Sequence, residues 1–319
     1  DSAHVWHAFT QMATYEPLII HSAIGCVLTD IQGNTYIDAV SSLWCNVHGH
    51  QHPVINAAIR KQLDQVAHIT SLGMSNPTTI QLAKHLVDIT PEKLNHVFFS
   101  GDGSSSVEVA MKMAFQYWQQ KSDPQPNKTK FIALDSAYHG DTLGSVSVGG
   151  VQRFHEMFKP LLFDVLRIDS PDTYRLPADV ALPQGATQYY LNQLESLLQQ
   201  HHSTTAAMII EPVVQGAAGM IMQPPRYLAG VRQLTQKYGV LLIADEVAVG
   251  FGRTGAMFAC DHENIRPDLM CLAKGLTGGY ITMAATLATT EIWNAFLGDP
   301  VRTFYHGHTY GGNPLAAAA

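Results

Sequence analysis

Three polar segments of the sequence each follow an apolar run, and each offers a different chemical group. Residues 100–106 (SGDGSSS) place glycines and hydroxyls after HVFF, Asp245 and Glu246 follow LLIA, and Lys274 follows MCLA. Free backbone N–H groups at a helix start bind anions, a buried acid needs a cationic partner, and a desolvated lysine is a nucleophile. Taken singly, each also has an ordinary explanation: a serine helix cap, an ion pair, or a lysine extending from the sheet edge.

Taken together, the three segments fit one cofactor, pyridoxal phosphate (PLP). Its phosphate would bind at the helix start, its aldehyde would form a Schiff base with Lys274, and Asp245 would keep the pyridine nitrogen protonated. The ring could then accept the electrons of a substrate carbanion. The sequence therefore predicts a PLP enzyme.

Two further residues follow apolar runs and are candidates for the same site. Tyr138, in AYHGDT, offers a ring that could stack on the cofactor, or it belongs to an ordinary turn. Glu211 could lie near the 3-hydroxyl of the cofactor ring, and a structural ion pair is the alternative for this carboxylate.

A mostly parallel α/β sheet must position these residues. Apolar runs cover residues 96–100, 131–136, 206–214, 240–247 and 269–274. Runs that are apolar on both faces are typical of buried parallel strands. Helical patterns lie between them, so the chain shows βαβ alternation. In such sheets ligands bind at the carboxyl ends of the strands.

The N-terminal part of the chain has a different pattern. Residues 24–40 carry apolar and β-branched positions on both sides of 32–34 (QGN), which predicts a hairpin. We expect 1–50 to form an N-terminal segment with a small lobe and substrate-side residues, and 51–319 to form the PLP-binding large domain.

Composition excludes several classes of function. The chain has 319 residues, 46% of them hydrophobic and 14% charged, and 19 Lys+Arg against 26 Asp+Glu give a net charge of −7. We therefore expect a globular protein that binds neither nucleic acid nor membranes and is cytoplasmic. His48, His50 and His52 alternate in a loop without a settled ligand set, so no metal site is predicted.

Five segments resemble motifs of the class III, or ornithine-type, aminotransferases of PLP fold type I. They are AYHGDT (137–142), EPVVQGAAGM (211–220), LLIADEVAVGFGRTG (241–255), CLAKGLTGGY (271–280) and HGHTYGGNPLAAA (306–318). The resemblance is specific because the five occur in the right order over nearly the whole chain. It implies PLP as cofactor, with a small-molecule amino donor and a keto acceptor as substrates.

The same resemblance implies roles for individual residues. Lys274 would be the Schiff-base lysine and proton shuttle, Asp245 the pyridinium partner, and Tyr138 the ring that stacks on PLP and faces substrate. The implied cofactor-binding residues are Gly103, Ser104, Tyr138, His139, Glu211, Asp245, Lys274, His308 and Thr309. The loop with Gly307, His308 and Thr309 matches one that reaches the other subunit's phosphate, which implies a homodimer with shared active sites.

Three further segments resemble the branch of the class that aminates 8-amino-7-oxononanoate (KAPA) to 7,8-diaminononanoate. They are HVWHAFTQM (4–12), SSLWCNVHGHQHP (41–53) and VEVAMKMAFQYW (107–118). The substrate-side residues that follow from the comparison are Phe9, Leu43, Trp44, Tyr138, Asp141, Arg253 and Gly307. Arg253 also suits a plain surface ion pair.

The amino donor and the exact reaction stay open at this point. Phe9, Leu43 and His308 stand where many S-adenosylmethionine-using members have Tyr, Trp and Pro, and resemble lysine-using relatives instead. The alternatives are another class III transaminase, acting on ornithine or 4-aminobutyrate, and a non-catalytic PLP-binding protein. In the family pattern the chain continues past NPLA into a C-terminal small domain, which carries an arginine for the substrate carboxylate. For this chain without that domain we expect exposed apolar surface and weak or no turnover.

Overall fold

A central sheet of seven strands organises the protein, whose computed structural model describes residues 1–176, 178, 180 and 183–319. The strands of the chain are β1 (Ile20–Ile24), β2 (Val27–Asp30), β3 (Thr35–Ile37), β4 (Leu94–Ser100), β5 (Lys130–Leu134), β6 (Leu166–Ile168), β7 (Thr205–Ile210), β8 (Val214–Gln215), β9 (Ile221–Met222), β10 (Leu241–Asp245), β11 (Leu269–Leu272) and β12 (Ala284–Thr289). The central order is β4-β12-β11-β10-β7-β5-β6.

Six of these seven strands run in the same direction, which confirms the predicted mostly parallel α/β fold. Only β12 is antiparallel to its neighbours β11 and β4. All residues of β7, β10 and β11 are buried, as their apolar sequences on both faces predicted. The five predicted runs match β4, β5, β7, β10 and β11, whereas β6 and β12 were not foreseen.

Helices cover both faces of the sheet. They are α1 (Ser41–Trp44), α2 (Pro53–Leu63), α3 (Pro77–Ile89), α4 (Gly103–Gln120), α5 (Leu143–Val148), α6 (Gln152–His155), α7 (Pro183–His201), α8 (Tyr227–Lys237), α9 (Thr290–Asn294) and α10 (Pro314–Ala318), with short 3₁₀ turns at Met12–Thr14, Glu156–Leu161, Ala259–Glu263, Lys274–Thr277 and Pro300–Arg302. None of the helices in the described ranges is both long and apolar enough to cross a membrane.

The two faces of the sheet bury separate sets of side chains. Ile132 and Leu134 of β5 pack in a cluster that includes residues of α7 and α8. Phe131 and Ala133 of the same strand point the other way, into a cluster that includes residues of α4. Alternation along one strand thus fills two cores, giving helix, sheet and helix layers.

Helix α4 begins directly after β4 because its N-terminus is doubly capped. The Asp102 carboxylate accepts a hydrogen bond from Ser105 N at 2.8 Å, and Asp102 N donates to Ser105 Oγ at 2.9 Å. A reciprocal cap of this kind contributes about 1 kcal/mol. It fixes where the backbone N–H groups of Gly103 and Ser104 point.

The N-terminal region forms its own antiparallel sheet in the order β1-β2-β3. The predicted hairpin is β2 and β3, and the Asp30 carboxylate caps its turn by accepting hydrogen bonds from Gln32 N and Asn34 N. Strand β1, which pairs with β2, was missed. Apolar side chains are exposed in this region; Ile37 is 78% exposed. The predicted boundary between residues 50 and 51 stays a prediction.

Helix α1 is a single turn with the opposite hand to the other helices. Its four residues, Ser41 to Trp44, have φ of 51°, 48°, 72° and 67°. Trp44 N donates to Val40 O at 2.7 Å, and Cys45 N donates to Ser41 O at 3.0 Å. Left-handed backbone costs about 1–2 kcal/mol per residue without glycine, so other contacts must hold this turn.

Candidate active site

A cavity of about 400 Å³ lies where the strands of the central sheet end. It is lined by Ser42, Leu43, Trp44, Cys45, Gly101, Asp102, Gly103, Ser104, Tyr138, His139, Gly140, Glu211, Ala217, Asp245, Val247, Ala248, Ala273, Lys274, Thr277, Gly279, Tyr280, Ile281, Thr282 and Met283. The three chemical segments of the sequence therefore meet at one place, as the parallel-sheet argument required.

Asp245 is the last residue of β10, and its carboxylate is held on both oxygens. Oδ2 lies 2.6 Å from His139 Nδ1, and Oδ1 accepts a hydrogen bond from Val247 N at 3.0 Å. Each oxygen keeps a lone pair for a further donor. His139, expected among the cofactor-binding residues, thus contacts Asp245 while also lining the cavity.

Glu246 follows Asp245 directly but points away from the cavity. Its carboxylate accepts hydrogen bonds from Ala259 N at 2.9 Å and Cys260 N at 2.8 Å, which caps the 3₁₀ turn at Ala259–Glu263. Burial raises the pKa of Glu246 to about 7. Of two adjacent acids, one faces the cavity and the other holds the fold.

Lys274 follows β11 and faces the cavity with no hydrogen-bond acceptor among the described residues for its amine. Nζ lies 5.1 Å from the centroid of the Trp44 ring. Burial lowers the pKa of Lys274, and the charges of Asp245 and Glu211 oppose that shift. A lowered pKa makes the neutral, nucleophilic amine more accessible.

The start of α4 and the loop after β5 are packed too closely for larger residues. A Cβ on Gly103 would lie 2.6 Å from Val247 Cγ1, and a Cβ on Gly140 would overlap Ser104 Oγ. Asp141 N donates to Ser104 Oγ at 3.2 Å. Gly103 and Ser104 line the cavity, so the N-terminus of α4 faces it, and the first N–H groups of a helix have no partner within the helix. This is the geometry that binds a phosphate.

Tyr138 and Glu211 are linked through the backbone. Tyr138 N and Gly216 N each donate to the Glu211 carboxylate at 3.0 Å, and burial raises the pKa of Glu211 to about 7. The suggested ion pair of Glu211 is absent among the described residues. The Tyr138 hydroxyl donates to Asp141 Oδ2 at 2.6 Å, so its ring orientation is fixed.

Of the residues expected on the substrate side, Leu43, Trp44 and Tyr138 line the cavity and the other four do not. Arg253 is exposed and its Nη2 donates to Trp44 O at 3.3 Å, with no ion pair to a described acid. Asp141 is exposed and bonds the Tyr138 hydroxyl, whereas Phe9 is 69% exposed, with its ring 5.2 Å from that of Phe154.

The loop with Gly307, His308 and Thr309 is exposed and contributes no wall to the cavity. It lies beside the start of α4, because a Cβ on Gly101 would be 3.3 Å from Nε2 of His308. Its expected reach into a second subunit stays a prediction.

Sequence reasoning missed part of the cavity wall. Residues 279–283 (GYITM) line it, as do Val247 and Thr277. The glycine pair after Lys274 was a usable signal: Gly279 has φ of +81°, and a Cβ there would be 3.0 Å from the backbone of Asn46. Only glycine allows that approach, which brings the segment leading to β12 against the N-terminal region.

Comparison with known proteins agrees with this geometry. The sequence model of the family described as "Aminotransferase class-III" matches residues 9–319. The chain belongs to the class III aminotransferases.

Relatives of this class III chain cover it over its whole length. It is 52% identical over 324 residues to the adenosylmethionine-8-amino-7-oxononanoate aminotransferase of Nitratidesulfovibrio vulgaris, covering 100% of this chain and 60% of that protein. The crystal structure of the enzyme of the same name from Methanocaldococcus jannaschii superposes with a TM-score of 0.92 at 45% identity, covering 100% of this chain and 71% of that one. The chain thus spans about two thirds of the length of these relatives.

A third comparison concerns the cofactor. An amine transaminase of an uncultivated Pseudomonas species, solved in a PLP-bound form, superposes with a TM-score of 0.93 at 38% identity, covering 99% of this chain and 72% of that chain. PLP is the cofactor of this chain as a class III aminotransferase. The cavity fits it: within the described part of the chain the Lys274 amine has no acceptor and the first N–H groups of α4 have no partner, and Asp245 keeps lone pairs for a further donor.

Proposed function

We propose that the protein transfers an amino group from S-adenosylmethionine to KAPA and so makes 7,8-diaminononanoate for biotin biosynthesis. The carrying observation is the 52% identity, over all of this chain, to a relative named for this reaction. The cavity is consistent with such an acceptor, because its wall at Leu43 and Trp44 is apolar and its floor is polar.

The residues at the strand ends would bind the cofactor. The N–H groups at the start of α4, with Gly103 and Ser104, would bind the phosphate. Asp245 would accept the pyridine N–H, and His139 and Val247 N keep its carboxylate in place. Tyr138 would supply the ring face, and the amine of Lys274 would attach the cofactor covalently.

Lys274 also moves the proton of the reaction. Bound PLP supplies an electron sink for the bonds at the substrate's amine-bearing carbon. Nζ of Lys274 would take the proton that leaves this carbon and deliver it to the cofactor, and a neutral amine is required for the first of these transfers. Burial favours that form because it lowers the pKa of Lys274.

We also propose how the protein assembles, where it acts and which residues reach its substrates. The protein works as a homodimer, in which Gly307, His308 and Thr309 reach the partner's phosphate site. It acts in the cytoplasm, residues 51–319 form the PLP-binding domain, and Phe9, Asp141 and Arg253 contact substrate as the assembled site closes around it. The small molecules that it takes are an amino donor and a keto acceptor.

The test is a two-substrate assay with purified protein and PLP. We expect 7,8-diaminononanoate, detected by mass spectrometry, with KAPA and S-adenosylmethionine, and parallel-line kinetics because the two substrates act in separate half-reactions. If product forms with lysine but not with S-adenosylmethionine, lysine is the amino donor. An absence of product from KAPA with either donor would overturn the proposal.

A second candidate, an ω-amino acid or amine transaminase, is favoured by one observation. The ω-transaminase of Pseudomonas jessenii superposes with a TM-score of 0.94 at 30% identity, covering 100% of this chain and 71% of that one. Ornithine and 4-aminobutyrate are the donors that test it. Conversion of either donor together with inactivity toward KAPA would make this candidate the function, and inactivity toward every donor would favour a PLP-binding protein without catalysis.

A further inference from the structure

Part of the wall of the cavity is formed by the left-handed turn α1, which contributes Ser42, Leu43 and Trp44. Trp44 of this turn lies with its ring 5.1 Å from Lys274 Nζ. A Cβ on Gly216 would lie 3.1 Å from the same indole, so the ring is enclosed between the lysine and the β8 region. Any displacement of α1 therefore changes the shape of the space beside the reactive amine.

The backbone of α1 does not choose this conformation by itself. Four consecutive residues without glycine have positive φ, and such residues rarely occur in a row. Unfavourable backbone angles persist where surrounding contacts impose them, and they concentrate at functional sites. Contacts from neighbouring residues therefore hold α1 in this conformation.

Asp38 supplies those contacts from the end of β3. Its Oδ1 accepts a hydrogen bond from Ser42 N at 2.9 Å, and its Oδ2 accepts one from Ser42 Oγ at 2.9 Å. The side chain of Asp38 is only 5% exposed. Its carboxylate thus holds the second residue of the turn by both the backbone and the side chain.

His50 holds Asp38 in turn. His50 Nε2 lies 2.9 Å from Asp38 Oδ2, and His50 Nδ1 lies 2.8 Å from Asn46 Nδ2. The backbone of His50 is bonded in both directions to Gly25 of the N-terminal sheet. The carboxylate is therefore fixed between the sheet and the loop that follows α1.

We propose that Asp38, oriented by His50, is a positioning residue that holds Leu43 and Trp44 against the acceptor and so sets the fit of its apolar chain. The inference rests on the proposed reaction with KAPA, whose alkyl chain needs an apolar wall. Asp38 does not line the cavity, and it acts through the turn.

A matched control lies in the same small sheet. Asp30 accepts hydrogen bonds from Gln32 N, Asn34 N, Asn34 Nδ2 and the Tyr36 hydroxyl, so it has at least as many partners as Asp38. It caps the hairpin turn and does not line the cavity. Asp30→Ala therefore removes a comparable network without touching α1.

The experiment compares Asp38→Ala, Asp38→Asn and Asp30→Ala in the PLP-loaded protein. For Asp38→Ala we expect KM for KAPA to rise about tenfold while kcat at saturating KAPA stays within about threefold. Asp38→Asn should be intermediate, because its carbonyl oxygen still accepts from Ser42 N. Asp30→Ala should keep the wild-type KM even if it lowers stability.

A second measurement needs no substrate. Hydrogen exchange of the Trp44 and Cys45 amides should accelerate in Asp38→Ala and stay unchanged in Asp30→Ala, because these amides close the turn. Unchanged exchange in Asp38→Ala, or an equal rise of KM in both alanine variants, would overturn the inference. A wild-type protein that does not aminate KAPA would refute the proposed reaction, while the exchange data would still judge the role of Asp38.

Discussion

The half-buried Lys274 and the buried Lys128 lie at opposite ends of the central sheet, each near a tryptophan ring, and they differ in their hydrogen bonds. Lys274 at the carboxyl end lies 5.1 Å from the Trp44 ring, and Lys128 at the amino end lies 4.5 Å from the Trp118 ring. Lys128 donates to three carbonyls, of His202 at 2.6 Å, Thr205 at 3.1 Å and Gly239 at 2.8 Å. Lys274 has no acceptor among the residues described.

The difference separates a structural lysine from a reactive one. Burial lowers the pKa of both amines, that of Lys128 to about 8, so the direction of the pKa shift does not distinguish them. Hydrogen bonding does, because three carbonyls use all three N–H groups of Lys128 and tie together the segments before β5, β7 and β10. An amine with no partner that faces a cavity is available for chemistry.

Lys274→Ala should have the largest effect of the substitutions considered for these two lysines. We expect transamination to fall at least about 10³-fold and covalent PLP attachment to be lost, because Lys274 is the one lysine among the described residues that line the cavity. The free energy of unfolding of the PLP-free protein should change by less than about 1 kcal/mol, since the amine has no hydrogen-bond partner among the described residues. Retained covalent PLP, measured by borohydride reduction and mass spectrometry, would refute the assignment of Lys274.

The adjacent acids Asp245 and Glu246 provide a second test of separate catalytic and structural roles. Asp245→Asn should lower transamination about 10²–10³-fold, because a neutral amide no longer holds a proton on the pyridine nitrogen. Glu246→Gln is the control: its side chain caps a turn outside the cavity, so the rate per folded molecule should stay near that of the wild type. Equal losses in the two variants would contradict separate roles.

The raised pKa of Glu246 also predicts how the free energy of unfolding changes with pH. Burial raises the pKa of Glu246 to about 7 from an ordinary value of 4.5, so between these values the folded state holds a proton that the unfolded chain has lost. The free energy of unfolding therefore falls as pH rises through that window, by about 3 kcal/mol from this group. Burial raises the pKa of Glu211 to about 7 as well, so Glu246→Gln should remove about half of the decline that urea titrations from pH 4.5 to 7.5 show in the wild type. An equal decline in both proteins would exclude Glu246 as a cause.

The smallest effect is expected at the other end of the sheet. Lys128→Met should lower the free energy of unfolding by about 2 kcal/mol, because three carbonyls lose a charged donor. Transamination per folded molecule should stay unchanged, since Lys128 lies outside the cavity. A loss of activity at full folding would show that the two ends of the sheet are coupled.

The sequence predicted the parts of the site that depend on local patterns. Apolar runs located β10 and β11, so Asp245 and Lys274 could be placed at strand ends and expected to meet. Strand β12 escaped notice because its sequence, AATLAT, has few large apolar residues, although tertiary pairing buries five of its six positions. Residue propensities alone do not predict such a strand.

The turn α1 was beyond sequence reasoning for a different reason. Its residues, SSLW, carry no glycine that would indicate positive φ, and Asp38 and His50 impose the conformation from outside. The contact between His139 and Asp245 joins residues 106 positions apart, so spacing gave no sign of it. Long-range hydrogen bonds of this kind become visible only when the fold brings the strand ends together.

The close contacts of Gly103 with Val247 and of Gly140 with Ser104 limit how this catalyst could be redesigned. No side chain can be added at either glycine without displacing α4 or the loop that carries Tyr138. The part of the cavity that would bind the cofactor thus cannot be reshaped by substitutions at these two glycines. Anyone reshaping the enzyme for bulkier amines has the rest of the cavity to work with, at Leu43, Trp44 and Ile281.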